Sequence, residues 1–114
     1  MTNFKAGDTV GVGCIVDSCQ NCSSCANGEE QFCKGGFTMT YDTEIKHGHI
    51  STDTNYTFGG YSTKITLHRK YIARIPEGYP LEAAGPVFCA GITMYSPLKV
   101  LVPHPLCYII VVIY

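Results

Sequence analysis

The stretch Cys19-Gln20-Asn21-Cys22-Ser23-Ser24-Cys25-Ala26-Asn27-Gly28-Glu29-Glu30-Gln31-Phe32-Cys33 sets four thiols into fifteen residues. Two C-x2-C steps let neighbouring sulfurs from one tight knuckle reach the same ion, and four thiolates close a tetrahedral cage. Asn27-Gly28 is a turn signal that reverses the chain, so that Cys33 supplies the fourth corner. The spacing C-x2-C-x2-C-x7-C admits two metals. Iron–sulfur ferredoxins also use C-x2-C-x2-C, but continue with a close fourth cysteine and a proline, whereas Cys33 is farther away and precedes Lys34. Structural zinc is the expected occupant, on a lobe covering residues 14–34.

Working outward, 114 residues suffice for one domain at most. Eight Lys and Arg stand against nine Asp and Glu, a net charge of −1, and only 15% of residues are charged, which argues against nucleic acid or an anionic membrane as partner. The lobe itself carries no Lys or Arg between Cys14 and Cys33, so it is poorly built to grip phosphate. Seven cysteines and two glycosylation sequons, Asn21-Cys22-Ser23 and Asn55-Tyr56-Thr57, raise the alternative of a secreted disulfide scaffold. Met1 to Asp8 contains no apolar signal region and the thiol count is odd, so a cytoplasmic, metal-binding chain is expected instead. The longest apolar run, Leu106 to Tyr114, has nine residues, against about twenty needed to cross a bilayer as a helix.

Thr9-Val10-Gly11-Val12-Gly13 reads as a short strand feeding the lobe. Its glycines resemble the start of a dinucleotide fingerprint, but Val16 stands where a third glycine belongs, and close packing of the strand is the better reading. Residues 35–58 lack sustained periodicity and are read as loops with one short strand. Tyr61, Thr63, Ile65 and Leu67 alternate with polar residues, which predicts a half-buried strand paired in a hairpin with Tyr71-Ile72-Ala73-Arg74-Ile75. One or two short helices follow around Pro86, with Pro97 limiting or kinking the second. The apolar tail from Val100 to Tyr114 differs in composition from all that precedes it. Cys14 and Cys107 are read as small structural residues, and His47, His49, His68 and His104 as solvated side chains.

Three segments together resemble the catalytic domain of zinc-dependent medium-chain alcohol dehydrogenases, in their cinnamyl-alcohol dehydrogenase branch. They are Phe4-Lys5-Ala6-Gly7-Asp8-Thr9-Val10-Gly11-Val12-Gly13-Cys14 with the cysteine quartet, Gly59-Gly60-Tyr61-Ser62, and Ile75-Pro76 through Cys89-Ala90-Gly91-Ile92-Thr93-Met94-Tyr95-Ser96-Pro97-Leu98-Lys99. The resemblance implies a mainly β fold: an incomplete, partly open GroES-like barrel over residues 1–99, with a zinc lobe, short C-terminal helices and no Rossmann domain, followed by a divergent tail at 100–114. It implies that Cys19, Cys22, Cys25 and Cys33 bind a structural zinc, that Cys89 is one ligand of a separate catalytic zinc, and that Thr93 lies close to the nicotinamide ring. An intact relative would interconvert primary alcohols and aldehydes with NADP, and would pair as a dimer. The His-Glu ligand pair and the nucleotide-binding half of that machinery have no counterpart here, so the expectation is a fragment, silent alone. The alternative is a non-enzymatic zinc-lobe interaction module.

Overall fold

The computed structural model describes residues 4–101. Six short strands make three antiparallel pairs among the described residues: β1 (Val10–Val12) with β6 (Ile72–Arg74), β2 (Ile15–Ser18) with β3 (Phe37–Met39), and β4 (Tyr41–Glu44) with β5 (Tyr56–Phe58). The fold is that of a GroES-like catalytic domain with an unclosed barrel, mainly β, as the sequence led us to expect. Ser18 sits opposite Phe37 at the end of the β2–β3 ladder, so the cysteine segment is the long loop of a β-hairpin. A metal-binding loop therefore starts and ends on one rigid pair of strands.

The core is small. Val16, Ile45 and Ile50 are buried together, with Val12 and Leu67 packed against them. As many polar as apolar side chains are buried, so satisfaction of hydrogen bonds decides whether this interior is stable. Thr40 donates to the carbonyl of Gly13, and Thr57 Oγ1 accepts from the amide of Thr43.

Gly11 has a defined purpose. A Cβ built there would lie 2.4 Å from the ring of Phe88, so the absence of a side chain lets β1 and the helical segment meet.

That segment comprises α2 (Leu81–Pro86), a π-helical turn (Val87–Gly91) and α3 (Ile92–Leu101). Pro97 lies within α3 rather than ending it. The helix also crosses the expected boundary at residue 100, since Val100 and Leu101 are its last residues. The remainder of the tail, with His104 and Cys107, lies outside the described residues.

Two expectations fail. Residues 61–67 form no strand: Tyr61 is fully exposed and Ile65 is 43% exposed. Alternation is necessary for a half-buried strand but does not supply the neighbouring backbone that a ladder requires. Accordingly β6 pairs with β1, across 60 residues of chain, and not with a hairpin partner beside it. Conversely, residues 35–58 hold three strands, β3, β4 and β5, where one was expected. Each has only three or four residues, too few for periodicity to register.

Candidate metal centre

The hairpin loop folds into two tight turns that aim sulfur inward. Gln20 adopts a positive φ of 57° between the first two cysteines, and α1 (Ser23–Ala26) begins at Cys22, whose carbonyl accepts from the amide of Ala26 at 2.9 Å. Gly28, at φ 77°, reverses the chain where the sequence predicted a turn. A single 3-10 turn, Glu30–Phe32, then delivers Cys33, whose amide donates to Glu30 at 3.0 Å.

The outcome is convergence: the sulfurs of Cys19, Cys22, Cys25 and Cys33 all lie within 4.8 Å of one another. Individual separations are 3.4 Å for Cys33 to Cys19, 3.5 Å for Cys22 to Cys25 and 3.9 Å for Cys19 to Cys25. A tetrahedral zinc with bonds of about 2.3 Å requires its sulfurs to stand about 3.8 Å apart, inside the observed spread. All four are free thiols. Donor type, number and spacing fit zinc, and the soft four-sulfur set is one that hard cations such as magnesium or calcium do not favour.

Backbone amides prepare two of these sulfurs for ligation. N–H groups of Asn21 and Cys22 pull the Cys19 thiol below its ordinary value, and those of Cys25 and Lys34 bring Cys22 down to about 6. Desolvation acts the other way on Cys33, pushing it up to about 11. Cys25 is the most enclosed of the four, 3% exposed.

A polar network surrounds the quartet. Asp17 and Ser18 are both fully buried. Asp17 Oδ1 accepts from the Ser18 amide at 2.9 Å and from Nδ1–H of His49 at 2.8 Å, while its Oδ2 is buried without a partner. Ser18 Oγ lies 3.3 Å from Cys25 Sγ and accepts the hydroxyl proton of Tyr71. Burial is the largest influence on the Tyr71 phenol, pushing it up to about 12, with Glu30, Asp17 and Cys25 adding to the rise. The next residue back, Lys70, forms an ion pair with Glu30 on the 3-10 turn. Nε2 of His47 bonds with the Gly36 carbonyl at 2.9 Å.

His47 and His49 thus lie in a loop as expected, with His49 exposed, but each also makes a hydrogen bond beside the lobe. Sequence reasoning missed them because Asp17 and His49 are 32 positions apart. The one available signal was an aspartate beside the first ligand.

Cys89 and Thr93 lie elsewhere, on the helical segment. Cys89 is exposed within the π-helical turn, a local widening of the helix that is common at functional sites. Thr93 donates to the Cys89 carbonyl at 2.9 Å, one helical turn back. Thr93 also lines an open cleft of about 870 Å³ together with Gly13, Cys14, Phe88, Ile92 and Tyr95. Cys89 is not part of the ligand group formed by the quartet, and no other such group occurs among the described residues. Cys14 is half-buried, and its thiol beside Tyr41 holds that phenol above its ordinary value.

Residues 1–77 match the family described as the alcohol dehydrogenase GroES-like domain. The NADP-dependent alcohol dehydrogenase C of Mycobacterium tuberculosis is 48% identical over 99 residues, covering 87% of this chain and 27% of that protein. A cinnamyl alcohol dehydrogenase from Sorghum bicolor superposes with a TM-score of 0.77 at 42% identity, over 88% of this chain and 27% of its own. The structure of CAD from Helicobacter pylori complexed with NADP(H) gives a TM-score of 0.75 at 43% identity, over 87% and 27%. The chain thus spans about a quarter of the length of the proteins it matches.

Proposed function

This chain belongs to the alcohol dehydrogenase GroES-like domain family, and from that premise we propose that it is the structural-zinc portion of an NADP-dependent dehydrogenase interconverting primary alcohols and aldehydes. The observation that carries the reading is the convergence of four free thiols within 4.8 Å on a hairpin loop. In this reading Cys19, Cys22, Cys25 and Cys33 hold one zinc and fix the lobe against β2 and β3. Cys89 contributes a thiolate to a second, catalytic zinc, and Thr93 borders the space for the nicotinamide. The similarity to proteins whose names carry NADP and cinnamyl alcohol supports the cofactor and an aromatic substrate.

A catalytic zinc, when bound, polarises the alcohol oxygen and eases loss of its proton. It needs three protein ligands and an open position. Among the described residues Cys89 offers one thiolate to such a site, because no second ligand cluster accompanies it. What this chain's own residues do is therefore positional: the π-helical turn leaves Cys89 exposed, and its neighbours Phe88 and Ile92 line the open cleft that Thr93 borders. The expectation is one tightly held zinc and no turnover by the chain alone.

Elemental analysis and an assay with NADP and an aromatic alcohol test both parts. One equivalent of zinc with no activity above a zinc-free control is the expected result. Less than one equivalent overturns the lobe assignment. Turnover overturns the silence. Of the described helices, none is long and apolar enough to cross a membrane.

A further inference from the structure

We propose that Tyr71 and Ser18 form a directional hydrogen-bond relay onto the Cys25 sulfur, making Ser18 a positioning residue for the metal centre. The proposal rests on the zinc reading above and extends it to residues outside the quartet. Cys25 is the ligand most withdrawn from water, so a negative sulfur there depends on protein donors in place of hydration. Ser18, itself fully buried, has its hydroxyl 3.3 Å from that sulfur.

The direction of the relay follows from counting protons. Serine has one hydroxyl proton to give. Its oxygen already accepts from Tyr71, and a ligated thiolate can only accept, so the Ser18 proton points to Cys25. The chain reads O–H to O–H to sulfur, each donor polarised by the one behind it. A tyrosine hydroxyl ordinarily keeps its proton through the neutral range, so Tyr71 is a donor there. The relay also has a fixed origin. Tyr71 ends the 3-10 turn Arg69–Tyr71, and its amide donates to the His68 carbonyl at 3.0 Å. Partners of this kind orient a ligand and withdraw charge from it, and their loss typically weakens metal binding about 10-fold to 100-fold.

Cobalt(II) in place of zinc makes the sulfur visible, since thiolate-to-metal charge transfer reports the electron density on the ligands. The full chain is loaded with cobalt(II), and Tyr71→Phe, Ser18→Ala and Lys70→Met are compared with the unaltered protein. With the relay broken, Tyr71→Phe and Ser18→Ala shift the charge-transfer band to lower energy and weaken retention against a chelator, Ser18→Ala by about 10-fold or more. Lys70→Met, which releases a lobe anchor touching no sulfur, leaves the band in place. Should Ser18→Ala fail to fold, Tyr71→Phe carries the test, since it removes a single oxygen. Bands coincident with the unaltered protein in both relay variants, or an equal shift in Lys70→Met, overturn the relay while the metal reading stands. No tetrathiolate band in the unaltered protein overturns the metal reading, and the relay with it.

Discussion

The cysteine lobe and the helical segment are assembled on opposite terms. Residues 19–33 contain almost no apolar core, yet Cys25 is nearly inaccessible, and Asp17 and Ser18 at their root are wholly so. Residues 81–101 are far more apolar, yet Leu81 is 60% exposed, Ile92 53% and Tyr95 56%. Composition therefore misranks the two. In the lobe, short covalent spacing and sulfur geometry do the folding, and apolar area hardly enters. In the helical segment the apolar side chains are present, but among the described residues only a few contacts cover them, chiefly Phe88 over Gly11 and the burial of Ala84. The lobe should accordingly respond to metal and hydrogen bonds, and the segment to packing.

Removing the metal is the strongest way to break that contrast. Structural zinc contributes about 10–16 kcal/mol of apparent binding free energy in small modules, as much as a whole domain's stability. Chelation, or Cys22→Ser, is expected to abolish amide protection across 19–33 while changing that of α2 and α3 far less. Hydrogen exchange followed by mass spectrometry reads both regions at once. Equal loss in the two would show that the helical segment depends on the lobe as well.

The same contrast explains what the sequence made legible. C-x2-C is a local signal, and its geometric consequence needs only the next few residues, so the quartet could be read before any fold was known. Close packing at Gly11 was likewise readable from its own short strand, though not that Phe88 is what meets it. What escaped were pairings between distant positions: β6 with β1, Asp17 with His49, Tyr71 with Ser18. Nothing in a window of ten residues marks such partners. The alternation at 61–67 shows the converse error, a local pattern with no ladder to join.

Gly11→Ala probes the segment's side of the comparison. The added methyl would stand 2.4 Å from one ring carbon of Phe88 and 2.5 Å from the next, so the ring or β1 must move. Overpacking of this kind costs up to about 3 kcal/mol. The expected sign is a lower denaturation midpoint with unchanged zinc content. His49→Ala, on the lobe's side, leaves the fully buried Asp17 carboxylate without its 2.8 Å side-chain donor. That costs about 2 kcal/mol, less than the metal because the Ser18 amide still donates. Here zinc should be lost at lower chelator concentration, which Gly11→Ala should not do.

The smallest effect sharpens the comparison by pH. Burial would raise the Glu30 carboxyl, but the Lys70 ammonium outweighs it and holds the group below its ordinary 4.5. A carboxyl depressed on folding adds stability that is complete above 4.5 and is lost as pH falls through the folded-state value. Because Lys70 is 40% exposed, solvent screens the pair, and it contributes under about 1 kcal/mol. Lys70→Met should therefore lower the thermal midpoint slightly at neutral pH, and the difference from the unaltered protein should vanish on acidification. Arg74 depresses Asp8 in the same direction, on the β1–β6 pair that carries the helical segment's contact. Arg74→Met should thus show a like acid dependence, but with its extra hydrogen exchange appearing in β1 and β6. Lys70→Met should place it in the lobe. Identical exchange patterns for the two variants would mean that the regions unfold as one unit, and the distinction drawn between them would fail.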